Sequence, residues 1–146
     1  MKRTIDILLI EPDARHAELI RDGISKACPD CRVEWVSEFE EAKVLLQRDP
    51  AAGAASADPN PALVIIELLD PKKPKAAAFM RWLREEPRTK RLPVLVLGFE
   101  GDAFSVTKAY DLGGSSYLVK PRTEEEFVRM MATAASYWTN LNNAPL

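Results

Sequence analysis

The sequence predicts a doubly wound α/β domain, a five-stranded parallel sheet covered by helices on both faces. Three observations carry that expectation: five strand-sized apolar runs, a helical pattern after each run, and a length of 146 residues that suits a single hydrophobic core. The runs are Ile5 to Ile10, Val33 to Val36, Leu63 to Ile66, Val94 to Leu97 and Ser116 to Val119. Most are nearly continuous in Val, Ile and Leu, the pattern of strands buried on both faces of a parallel sheet.

The helices follow in order. Ala14 to Ala27 places Leu19, Ile20, Gly23 and Ile24 on one side, and Glu38 to Gln47 does the same with Phe39, Ala42, Leu45 and Leu46. A third pattern runs from Ala76 to Glu85 with Phe79, Met80 and Leu83. A fourth runs from about Ala103 to Leu112, after which Gly113 can take the left-handed cap position. The fifth opens on the capping box Thr123-Glu124-Glu125-Glu126, with acidic side chains at the positive helix end, and Phe127, Met130, Met131, Ala134, Trp138 and Leu141 recur at helical spacing. Right-handed crossovers close five such units into one open sheet, with functional groups expected at the carboxyl ends of its strands. The Ala-, Pro- and Gly-rich stretch from Asp49 to Pro61 reads as a surface loop, so residues 1–146 form one domain, of which 142–146 is a tail.

Composition excludes several classes of function. With 20 basic and 22 acidic residues the formal charge is −2, which gives no basic field for nucleic acid. No apolar run reaches the roughly 20 residues of a membrane helix, and the start is too short for a secretory signal, so a cytoplasmic protein is expected. The pair Cys28-Pro29-Asp30-Cys31 has the spacing of a redox pair or half a zinc site. No second cysteine pair exists, His16 is the single histidine, and the pair follows a helix where a redox pair would open one. We therefore expect a turn holding one half-buried thiol, and a surface position for His16. Glycine-rich phosphate loops, a nucleophile elbow and Ser-His pairing are missing, so an enzyme is not expected.

At the carboxyl edge, the first strand ends in Glu11-Pro12-Asp13, the third in Glu67, the fourth in Gly98 and the fifth in Lys120-Pro121. The phrases ILLIEPD, ALVIIELLDP, LPVLVLG and LGGSSYLVKP, in that order, resemble the receiver domain of response regulators, a flavodoxin-like (βα)5 fold of two-component signalling. In that family, acids after the first strand hold magnesium, an aspartate ending the third strand accepts a phosphoryl group, and a lysine after the fifth strand neutralises it. The resemblance assigns that lysine to Lys120, a cis peptide bond to Lys120-Pro121, and the switch aromatic to Tyr117, which packing at a sheet edge would explain equally well.

The departures from the family pattern matter more. Glu67 stands at the phosphoacceptor position, Gly98 replaces Ser or Thr, and Pro12 replaces the second metal-binding acid. Phosphoryl transfer depends on positioning, so a carboxylate pushed forward by one methylene, roughly 1 Å, is a poor acceptor. Magnesium wants near-octahedral oxygen ligands, and only Glu11, Glu67 and Asp13 remain, the last placed as a helix cap; any binding should be weak. Gly98 has no hydroxyl for a phosphoryl oxygen. We read a pseudo-receiver without aspartyl phosphorylation, in which Glu67 either pairs with Lys120 to imitate the neutralised state or merely satisfies it. The rival reading is a phosphorylatable regulator that uses Asp70 or Asp13, with phosphate from a histidine kinase.

Partners are expected among sensor histidine kinases and other signalling proteins, with a lysine cluster at Lys72, Lys73 and Lys75 on a solvated loop. Helix five, running on to Leu141, should project and expose Tyr137, Trp138 and Leu141, unless Trp138 folds back on the core. This Tyr-Trp and Leu-Asn ending resembles stand-alone response regulators found with bacterial phytochromes, which implies a homodimer.

Overall fold

A computed structural model describes residues 2–3, 5–47, 57–58, 60–67 and 74–145 of the chain. Five strands form its main sheet: β1 (Ile7–Ile10), β2 (Val33–Val36), β3 (Leu63–Glu67), β4 (Val94–Gly98) and β5 (Ser116–Val119). All pairings are parallel, in the order β2-β1-β3-β4-β5, with Ile7 opposite both Val33 and Leu63, Val64 opposite Val94, and Leu95 opposite Ser116. Lys2–Arg3 and Ala57–Asp58 add a separate two-residue parallel ladder. The expected doubly wound sheet is present. Its strand order reverses between β1 and β3, the switch point where sites form in such sheets.

Side chains alternate across the sheet. Leu8, Ile10, Val64, Ile66, Val94 and Val96 pack on α2 (Phe39–Leu46), α3 (Lys75–Glu85) and Ala109 of α4 (Ala103–Asp111). On the other face, Ile7, Leu9, Leu63, Ile65, Leu95 and Leu97 meet Ala17, Ile20 and Ile24 of α1 (Ala14–Ala27) and Phe127, Val128 and Met131 of α5 (Glu124–Ser136). The central strands β1, β3 and β4 are fully buried, whereas β2 and β5 sit at the edges and are half-exposed, which explains Glu34 inside a strand otherwise apolar. Gly23 lets α1 approach α5, because a methyl group there would lie 2.6 Å from the Val128 carbonyl oxygen and 2.7 Å from Met131 Cβ. Gly113 does take a positive φ, 102°, after α4.

The end of the fifth helix differs from the sequence expectation. α5 ends at Ser136, and Tyr137–Leu141 winds into a π-helical turn, with the Asn142 N–H donating to the Tyr137 carbonyl at 2.8 Å. The wider turn lets Trp138 fall back against the α1/α5 core, so its indole does not project. Most of the expected loop from Asp49 to Pro61, and the positions Asp70, Lys72 and Lys73, lie outside the described residues; Lys75 is exposed at the start of α3.

Candidate functional site

Four chain segments deliver charged side chains to one point at the carboxyl edge. Glu11 directly follows β1, where its N–H donates to the Val36 carbonyl at 3.1 Å and its own carbonyl accepts from the Trp35 indole at 2.9 Å. Glu67 is the last residue of β3, opposite Leu97. Lys120 follows β5, held by its N–H to the Gly98 carbonyl at 2.8 Å. His16 stands in the first turn of α1, whose start is fixed by the Asp13 carboxylate accepting from the Arg15 and His16 N–H groups at 2.9 and 3.1 Å.

The Lys120 ammonium is the centre of the cluster. It lies 2.6 Å from Glu11 Oε1, 2.8 Å from His16 Nδ1 and 3.1 Å from Glu67 Oε2. An ammonium offers three N–H donors and no acceptor, so three acceptors satisfy it. The same count assigns the His16 tautomer: Nδ1 must present its lone pair, which leaves the proton on Nε2, 3.9 Å from Asp13 Oδ2. The Phe99 ring lies over Nζ at 4.9 Å and the Phe127 ring at 5.8 Å, adding aromatic faces to the enclosure. Glu11 is fully buried, and Glu67 and Lys120 are 4% and 7% exposed.

Two buried carboxylates against one ammonium would leave a net charge, which burial penalises heavily. The cluster resolves this with a proton. Burial, followed by a hydrogen bond with Glu67, pushes the Glu11 carboxyl up to about 8, although Lys120 acts in the opposite direction. Glu11 is therefore protonated at neutral pH. Its Oε1 still accepts from Lys120, and its Oε2 is buried.

No family model matches the chain. It is 28% identical over 139 residues to the probable methanogenesis regulatory protein FilR2 of Methanothrix harundinacea, covering 95% of this chain and 86% of that protein. To response regulator Rcp1 of Synechocystis it is 25% identical over 139 residues, covering 95% and 92%. Among solved structures, the phosphorylated cyanobacterial phytochrome response regulator RcpA superposes with a TM-score of 0.80 at 23% identity, covering 97% of this chain and 99% of that one. The chain has the receiver fold of response regulators.

The magnesium ion that the resemblance to response regulators implies does not fit this site. Glu11, His16 and Glu67 offer ligand atoms within 4.8 Å of one another, yet all three are bonded to the Lys120 ammonium, a cation already placed where a metal would sit. One of the three ligands is a nitrogen, unsuited to magnesium, and Pro12 is exposed with no donor atom to add. Asp13 is exposed and spent on the helix cap.

Tyr117 faces inward across β4. Its hydroxyl donates to the Glu100 carbonyl at 2.6 Å, and its ring covers Gly98 so closely that a methyl group at position 98 would overlap the hydroxyl and lie 2.5 Å from Cζ. The lost hydroxyl at 98 and the seated tyrosine are thus one feature: the ring occupies the room a side chain would need.

Three expectations need correction. The Lys120-Pro121 peptide is trans, as are all described peptide bonds; an X–Pro bond prefers trans by about 0.5–1 kcal/mol and takes cis only where its surroundings demand it. Cys28 and Cys31 are joined in a disulfide, so neither is a thiol. His16, expected at the surface, is half-buried, with its Nδ1 2.8 Å from Lys120 Nζ and its ring centroid 6.5 Å from that of Phe99 and 5.6 Å from that of Phe127. The sequence carried a signal for it, since His16, Ile20 and Ile24 share one stripe of α1 and both isoleucines are core. Of the C-terminal group, Tyr137 and Leu141 are exposed and Trp138 is half-buried, edge-on to Tyr137 at 5.1 Å. Among the described residues, no helix is long and apolar enough to cross a membrane.

Proposed function

We propose that this receiver works in two-component signalling as a pseudo-receiver: it transmits by protein contact, with a sensor kinase or another signalling protein as partner, and without aspartyl phosphorylation. The observation that carries this reading is the Lys120 ammonium held by Glu11, His16 and Glu67 together. The charge that a phosphoryl group would bring to this lysine is supplied from within the chain, and the place of the metal is taken. Tyr117, seated inward over Gly98, fits a molecule whose shape does not wait for a chemical trigger.

Incubation with acetyl phosphate and magnesium, followed by intact mass measurement, tests the reading. No added phosphoryl group is expected. A stable phosphoryl adduct mapped to Asp13 or Asp70 would instead establish the rival, a regulator with a non-standard acceptor. We further propose that two copies pair through the exposed Tyr137 and Leu141 at the C-terminal end.

A further inference from the structure

The disulfide between Cys28 and Cys31 belongs to no part of the ammonium cluster. Cys28 caps the carboxyl end of α1, its N–H donating to the Ile24 carbonyl at 2.7 Å, and the Cys31 N–H donates back to the Cys28 carbonyl at 3.1 Å. The turn is therefore already closed by the backbone. A crosslink stabilises chiefly by removing freedom from the unfolded chain, and the effect shrinks with the loop it closes. A bond between residues only three apart removes little, so this one is a poor staple.

Both cysteines are half-buried, but Cys31 packs on the α1/α5 side of the core, whereas Cys28 is outside that cluster and is followed by the exposed Pro29 and Asp30. The helix end matters as well. Redox pairs that open a helix have their thiolate stabilised by its positive end, which makes them oxidants; Cys28 meets the negative end, where a thiolate gains nothing. The disulfide is then the resting form, which only a sufficiently reducing partner dithiol opens.

We propose that Cys28 and Cys31 form a reversible dithiol–disulfide site reduced by the dithiol of a partner protein. A partner thiolate attacks Sγ of Cys28; the Cys28–Cys31 bond breaks, a mixed disulfide forms, and the Cys31 sulfur leaves as thiolate and takes a proton. The second partner thiolate then attacks the partner's own sulfur in the mixed disulfide and releases Cys28, which is protonated in turn. Two electrons and two protons have passed to this chain, and the partner carries a disulfide. Both elements flanking the turn reach the charged cluster, since α1 carries His16 in its first turn and β2 carries Trp35, bonded to the Glu11 carbonyl.

The test uses the folded, air-exposed protein. Alkylation is expected to label neither cysteine before reduction and both after treatment with dithiothreitol, with an unchanged circular dichroism spectrum, and oxidised glutathione should close the bond again. A thioredoxin lacking its resolving cysteine should be captured as a mixed disulfide that peptide mapping places on Cys28. Free thiols before reduction, reduction only in denaturant, failure to reclose, or capture on Cys31 would each overturn the proposal.

Discussion

Lys120 makes the value of each charge in the pocket measurable. Removing one partner from a buried ionic set leaves the others uncompensated, at a cost of about 3–5 kcal/mol. Lys120→Met should therefore lower stability at neutral pH by about that amount in urea unfolding, because Glu67 loses its counter-charge. A loss below about 1 kcal/mol would mean that the cluster is solvated and its charges weakly coupled. Glu11 gives a second prediction, with a definite sign. Its carboxyl is raised from 4.5 to about 8, so between those values the native state binds a proton that the unfolded chain has released. Stabilisation from this group is complete below 4.5 and is lost as pH rises through 8. Glu11→Gln keeps the shape without the titration, and its stability should vary less than wild type between about pH 5 and 9. Parallel curves for the two proteins would refute the raised Glu11 carboxyl. The acids and the lysine of this site were legible in the sequence because each ends a recognisable strand. Phe99 was not, and for His16 only its place on the buried stripe of α1 could be read, since a ring's direction depends on the tertiary position of a charge far away in the chain.

Among the elements, β4 and β5 act as a unit through Gly98 and Tyr117. Substituting Gly98 with Ala should drive the Tyr117 ring outward and break its hydroxyl bond to the Glu100 carbonyl, because the added methyl group needs the same space. A crystal structure of the variant, or ring-proton contacts in NMR, would show it; an unmoved ring would mean that the backbone of β4 yields first. The strands and helices were readable from sequence because β1, β3 and β4 are buried on both faces and α1, α3 and α5 carry one apolar stripe each. The π-helical turn after Ser136 was not, because the spacing of Trp138 and Leu141 suits a continuing α-helix equally well. Only the gain from packing the Trp138 indole on the core decides between the two windings.

For the molecule as a whole, the same turn determines what the C-terminal end offers a partner. With Trp138 withdrawn into the core, the aromatic surface left for association is smaller than the sequence implied: Tyr137 is 49% exposed and Leu141 71%. The proposed two-fold contact uses these two side chains as its anchors, each copy burying the other's leucine. Sedimentation at micromolar concentration should find a dimer, and replacing Tyr137 and Leu141 together with Ser should weaken it by about tenfold or more, as the loss of central anchors does. Neither residue supports the core, so the double variant should keep its melting temperature as a monomer. A wild-type monomer at these concentrations would remove the homodimer, while leaving the ammonium cluster intact, because no residue of that cluster lies on α5 beyond Phe127. The charged cluster and the C-terminal end are thus separable by experiment.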